Sequence, residues 1–256
     1  MAPESGPPRT FAWACATGGR LTAAEKATVR AGIRAGYADI AMGLARWPFR
    51  RGRASGERPG TPDSRLAKLA EQAAAEQGPA LAGHGYRTWV LGSALAAADR
   101  VTVDAELLYV TSLLHDAGMA REVVGQDFTV RSAEILIDVF ARAGEPDSRG
   151  LLAADAAVAH ASPGLTATAD PVGFYVQAGA MADLAGLRMW DLPRGLLARA
   201  YREHPAREVH RVVAELIRRE ARDVPDGRFA LLKRSGMDRM VQLSPTRRYA
   251  RDRAAG

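Results

Sequence analysis

Cysteine is nearly absent from this chain: Cys15 is the only one in 256 residues. A single cysteine excludes an intramolecular disulfide and points to a reducing compartment. Lysine is almost as scarce, with only Lys26, Lys68 and Lys233, so nearly all of the positive charge is arginine. Aromatic residues make up 6%, and alanine is abundant, a balance that favours helices over sheet. No apolar run approaches the roughly 20 residues of a membrane span. Residues 1–8 lack the basic-then-apolar order of a secretory leader. No alternating strand pattern and no internal repeat stands out. These absences predict a soluble, cytoplasmic, all-α protein with no membrane partner.

Hydrophobic residues account for 47% of the chain, ample for a packed core, and the length suits one large domain or two small ones. The net charge is +6 and the pI about 9.9. The arginines are spread along amphipathic segments and often lie near Glu or Asp, so the basic balance does not define a nucleic-acid site. A small molecule is the expected partner, and self-association stays open.

Residues 1–20 are rich in Pro and Gly and read as a loose arm. Thr22-Ala23-Ala24-Glu25 forms a capping box, and Val29, Ile33, Tyr37, Ile40 and Leu44 then recur at helical spacing. Residues 46–60 form a basic loop, either a solvated connection or a lid. Further helices are predicted over 61–77, 80–98, 103–115 and 131–143, and from Asp147 to His160. Asp170-Pro171 supplies an N-cap and a first-turn proline for a helix reaching Gly186. A short helix opens at Pro193, and the last long one covers 206–222. The predicted organisation is an N-terminal arm, helix and basic loop over 1–60, a helical bundle over 61–245 and a flexible tail over 246–256.

The run Glu106-Leu107-Leu108-Tyr109-Val110-Thr111-Ser112-Leu113-Leu114 stops on His115-Asp116 and then meets Gly118. A buried imidazole beside a buried carboxylate is costly unless both are paired or metal-bound. His84 and Asp183 also sit in apolar helical stretches. A lone buried His is more often a hydrogen-bonded core residue than a ligand, and Asp183 alone could cap a helix or pair with Arg188. Together, two His and two Asp make a mixed nitrogen and oxygen sphere suited to one Zn²⁺, Fe²⁺ or Mn²⁺ ion. Such an ion would lower the pKa of a water toward neutrality, and Asp116 could accept the proton. His204 and His210, in the arginine-rich C-terminal region, are expected at the surface.

The order His, His-Asp, Asp on successive helices resembles the HD-domain metallohydrolase superfamily, and the local text resembles its cyanamide hydratase-like branch. Relatives carry His-Ser-x-Arg-Thr where this chain has His84-Gly85-Tyr86-Arg87-Thr88-Trp89. Their Asp-x-Glu-Leu-Leu and Leu-Leu-His-Asp match Asp104-Ala105-Glu106-Leu107-Leu108 and Leu113-Leu114-His115-Asp116. Their Phe-Glu-Val-x-Gly-Ala becomes Phe128-Thr129-Val130-Arg131-Ser132-Ala133, so the family Glu is replaced by Thr129. A later helix ending in His corresponds to His160.

This resemblance, over about residues 80–245, implies an HD-domain helical bundle with His84, His115, Asp116 and Asp183 as metal ligands. It implies Asp116, His160 and Arg87 as catalytic residues, with Arg87, Thr88 and Thr129 near substrate. Arg87 lies one turn after His84, on the same face, where a structural ion pair competes with a substrate role.

The implied activity is a metal-dependent hydrolase or hydratase attacking an electrophilic carbon of the nitrile or amide type. A phosphohydrolase is the alternative, although Ala117-Gly118-Met119-Ala120-Arg121-Glu122 lacks the Glu-Asp pair that nucleotide-cleaving relatives often carry. A di-iron oxygenase needs more His than His160 between His115 and Asp183. A non-catalytic scaffold would be expected to lose a ligand.

Overall fold

A computed structural model describes residues 9–46, 60–193, 195–205 and 208–251. Among these residues the chain is all-helical with no strand; Arg20 and Gly227 form one isolated β-bridge. In order, the helices are α1 (Phe11–Thr17), α2 (Ala23–Arg46), α3 (Arg65–Ala75), α4 (Pro79–Asp99) and α5 (Ala105–Leu114). Then come α6 (Phe128–Ala143), α7 (Asp147–His160), α8 (Pro171–Ala185), α9 (Leu196–Glu203) and α10 (Val209–Asp223). Three short helices close the chain: α11 (Arg228–Arg234), α12 (Met237–Gln242) and α13 (Arg247–Arg251). Among the described residues, no helix is long and apolar enough to cross a membrane. The basic loop lies outside the described residues over 47–59.

Local chemistry sets the helix starts. At α2 the Glu25 carboxylate accepts from Thr22 N (2.7 Å), while Thr22 Oγ1 accepts from Glu25 N (3.3 Å), the reciprocal cap expected from the sequence. Asp170 accepts from Gly173 N at 2.9 Å ahead of Pro171. Asp104 caps α5 by accepting from Leu107 N at 2.9 Å. Every residue of α5 from Leu107 to Leu114 is buried. A helix apolar on all sides must be enclosed, and α5 is packed among α3, α4, α6, α7 and α8.

Among the described helices, α4 and α8 share the most extensive contact. A Cβ on Gly179 would lie 2.2 Å from Thr88 O, and one on Gly92 would lie 2.5 Å from Tyr175 O. Only glycine lets the two backbones meet this closely, and the approach carries His84 on α4 to Asp183 on α8.

Both ends of the chain differ from expectation. Residues 11–17, predicted as part of a loose arm, form α1. Trp13 and Ala14 are buried there in a cluster with Val130, Ala133, Ala154, Val158 and Leu231. Seven residues carry too little periodicity to reveal a helix; burial of the Trp13 indole and its bond to Glu25 (2.9 Å) fix it. Helix α6 begins three residues before the predicted start, because Asp127 accepts from Thr129 N at 2.9 Å and caps it. Of the predicted tail, residues 246–251 are described: Thr246 is fully buried and Arg247–Arg251 form α13. On α2 only the first half of the predicted face is covered. Val29 and Ile33 are buried, whereas Tyr37 and Leu44 are 41% and 50% exposed.

Candidate metal centre

His84 projects from α4, His115 follows the last residue of α5, and His160 ends α7. Their rings meet edge to face, His84 to His115 with centroids 5.1 Å apart and His115 to His160 at 4.7 Å. Asp116 sits among them. Its Oδ2 lies 3.6 Å from His84 Nε2 and 3.3 Å from His115 Nε2, and its Oδ1 lies 3.5 Å from His160 Nε2. All four side chains are buried.

The second nitrogen of each ring fixes its tautomer. His115 Nδ1 is 2.8 Å from Ser112 O, and His160 Nδ1 faces Ala157 O. A carbonyl only accepts, so Nδ1 carries a proton, and in the neutral ring Nε2 presents a lone pair. His84 Nδ1 donates to Asp183 Oδ2 at 2.8 Å with the same result. Among the described residues, His84 Nε2 and His115 Nε2 are buried with no hydrogen-bond partner. Two orphaned lone pairs beside a carboxylate need a cation or an N–H to satisfy them. Metal-bound histidines typically hand their other N–H to a carboxylate or carbonyl. His84, His115 and Asp116 therefore form a buried group able to hold a metal ion.

Asp183 departs from the expected ligand set. Arg87 grips it with Nε to Oδ1 at 2.7 Å and Nη2 to Oδ2 at 2.9 Å, and Oδ2 also takes the His84 Nδ1 proton. Both oxygens are committed, so Asp183 stands behind His84 and orients it. Burial raises the Asp183 carboxyl, but the Arg87 charge and the His84 hydrogen bond outweigh it and hold the group well below the ordinary carboxylate range. The alternative partner Arg188 instead meets Asp99 and Asp191.

Arg87 is likewise a structural residue rather than one facing a substrate. It is fully buried, donates to His204 O at 2.7 Å and lies 4.2 Å from the Tyr201 ring centre. Thr88 and Thr129 do not reach the cavity described below either. Thr88 is buried beside the α4–α8 crossing. Thr129 is locked in an internal network, donating to Asp127 Oδ1 (2.7 Å) and accepting from Arg228 Nη2 (2.9 Å). A carboxylate at that position would sit beside Asp127, which already balances Arg228 at 3.1 Å. His210 is buried against expectation, with Nε2 2.8 Å from Thr246 Oγ1. His204 is partly buried, stacked on Tyr86 with centroids 4.6 Å apart.

A cavity of about 210 Å³ opens beside the histidines. His84, His115, Asp116, His160 and Gln177 make its polar end. Sequence reading missed Gln177, whose Nε2 donates to His160 O and to Ser162 O (3.1 Å) and so anchors the end of α7. It also missed α2 as a cavity wall, through Ile33, Gly36 and Ile40. Nothing in the isolated sequence of α2 marks it as facing a site more than 40 residues away along the chain.

No model of a known protein family matches this chain, and no curated protein matches it.

Proposed function

We propose that the chain is a divalent-metal-dependent hydrolase or hydratase of the HD-domain type, acting on a small uncharged molecule with an electrophilic carbon. The observation that carries this reading is the convergence of three imidazoles, each with Nδ1 on an acceptor oxygen and Nε2 turned toward Asp116. The ordered His, His-Asp, Asp resemblance supplies the reaction class. His84, His115 and Asp116 would hold the dication, which would supply hydroxide near neutral pH.

The chain's own residues account for the remaining needs. For a nitrile, the water oxygen bonds to carbon, one carbon–nitrogen π bond opens, and nitrogen takes a proton to reach the amide after tautomerisation. For an amide, the water oxygen bonds to the carbonyl carbon, the carbon–nitrogen bond breaks and the departing nitrogen takes the proton, giving a carboxylic acid and an amine. His160 is our candidate to carry that proton. Its Nε2 lies at the cavity and 3.5 Å from Asp116 Oδ1, and its Nδ1–H is held by Ala157 O. Asp183 and Arg87 keep the His84 lone pair aimed.

A phosphomonoester fits less well. Among the described residues, no Lys or Arg lines the cavity. Asp116 is its one carboxylate, so beside a dication a single net positive charge remains, enough for hydroxide but not for a dianion as well.

Elemental analysis with a substrate panel tests the proposal on wild type and Asp116→Ala. About one Zn, Fe or Mn per wild-type chain is expected, with turnover of small nitriles or amides and none of phosphomonoesters. Full metal occupancy in Asp116→Ala would overturn the ligand set.

A further inference from the structure

Beyond its polar end, the cavity is apolar. Ile40, Met119, Met181, Phe229, Met237 and Met240 contribute to its walls. We infer that the substrate carries an apolar body, about the bulk of a small substituted benzene ring, behind its electrophilic carbon; this rests on the hydrolase reading above and adds the class of molecule.

Three features argue for it. Size comes first: a cavity of about 150 Å³ accommodates benzene, and this one holds about 210 Å³. That leaves room for a ring and a short polar group, and too little for a nucleotide. Charge comes second, since Asp116 is the only carboxylate among the described lining residues and no Lys or Arg joins it. A substrate needing a counter-charge along its length finds none. Wall chemistry comes third. Four of the chain's seven methionines line the space, and their flexible thioethers adapt to apolar ligands and contact aromatic edges. A merely small polar substrate would leave these walls against water.

Helix α2 forms one wall of the space and is fixed from two sides. A Cβ on Gly32 would lie 2.7 Å from the Pro163 backbone, just beyond His160. The Tyr37 hydroxyl donates to Ser235 O at 2.5 Å. Between them, Gly36 lines the cavity and has no atom within 4 Å of where its Cβ would stand. A larger side chain there occupies ligand space without striking backbone.

Ligand-observed NMR on the metal-loaded full chain tests the inference with toluene, benzamide, formamide and phenyl phosphate, against wild type and Gly36→Leu. Toluene and benzamide bind, benzamide more tightly. Formamide and phenyl phosphate bind at least tenfold more weakly than benzamide. Gly36→Leu keeps its metal content and loses at least tenfold in benzamide affinity. Phenyl phosphate or formamide binding as tightly as benzamide, or benzamide binding unchanged in Gly36→Leu, would overturn the inference. Benzamide bound with no turnover of any amide or nitrile supports the apolar cavity and removes the hydrolase reading. Formamide turnover without benzamide binding does the reverse.

Discussion

At the scale of single residues, the sharpest contrast is between Asp116 and Asp183. Both are buried carboxylates beside histidines, yet only Asp116 points both oxygens toward the Nε2 atoms. Asp116→Ala should therefore abolish metal uptake. Asp183→Asn removes the charge that balances Arg87 and weakens the hydrogen bond that orients His84. Loss of such an orienting partner typically lowers metal affinity by about 10–100-fold, measurable by competition with a chelating dye. Arg87→Met strands Asp183 in an apolar site and should cost about 3–5 kcal/mol of stability. Combining it with Asp183→Asn should cost less than the sum of the two, because the second change removes the stranded charge. Strict additivity in urea melts would show that the pair is not coupled.

At the scale of helices, glycine position decides the sign of substitution. Alanine gains about 1 kcal/mol over glycine in a helix interior. At Gly179 the added Cβ would lie 2.2 Å from Thr88 O, a backbone atom that cannot step aside, so overpacking wins. Gly179→Ala should destabilise by about 1–3 kcal/mol and loosen metal binding by parting His84 from Asp183. At Gly36 the Cβ meets nothing, and Gly36→Ala should stabilise by up to about 1 kcal/mol. Thermal melts of the two variants should shift in opposite directions.

The same scale shows what the sequence made legible. The starts of α2 and α8 could be read from Thr22, Glu25 and Asp170 because caps are local. The run ending at His115-Asp116 could be read as buried because it has no polar face. The short helices α1, α11, α12 and α13 have five to seven residues, below the length at which propensity or periodicity carries a helix alone; only tertiary burial specifies them. The true partner of Arg87 was hidden for a similar reason. Its i−3 neighbour His84 is visible in the sequence, but Asp183 lies 96 residues away and arrives only through the Gly92–Gly179 crossing. Thr129 resembled a substrate position by alignment of motifs, and its commitment to Asp127 and Arg228 depends on α11, a helix the pattern did not reveal.

For the whole molecule, two buried groups on α10 set opposing pH responses. Burial pushes Glu220 up to about 7, although Arg131 pairs with it at 2.9 Å. Between about pH 4.5 and 7 the folded chain keeps a proton there that the unfolded chain has lost, so stability falls as pH rises through that window. Burial pushes His210 down to about 4. Between about pH 4 and 6.5 the unfolded chain holds a proton that the folded chain lacks, so this group's contribution rises with pH. The two slopes oppose each other from about 4.5 to 6.5. Glu220→Gln removes the falling one, and the melting temperature of that variant should climb across this interval more steeply than wild type. Parallel profiles by scanning fluorimetry would show that the Glu220 proton is not bound in this way.

One consequence of the Arg87 cluster reaches the far end of the chain. Thr246 Oγ1 donates to the carbonyl of Asp183 at 2.6 Å, Tyr201 OH reaches the same oxygen at 3.3 Å, and the His204 carbonyl receives Arg87. Tyr201, His204 and Thr246 thus form a brace on the back of His84 in the candidate metal centre. Linkage is reciprocal: whatever firms the brace tightens the ion's grip, and chelation should hasten amide hydrogen exchange around residue 246 before the rest of the bundle loosens.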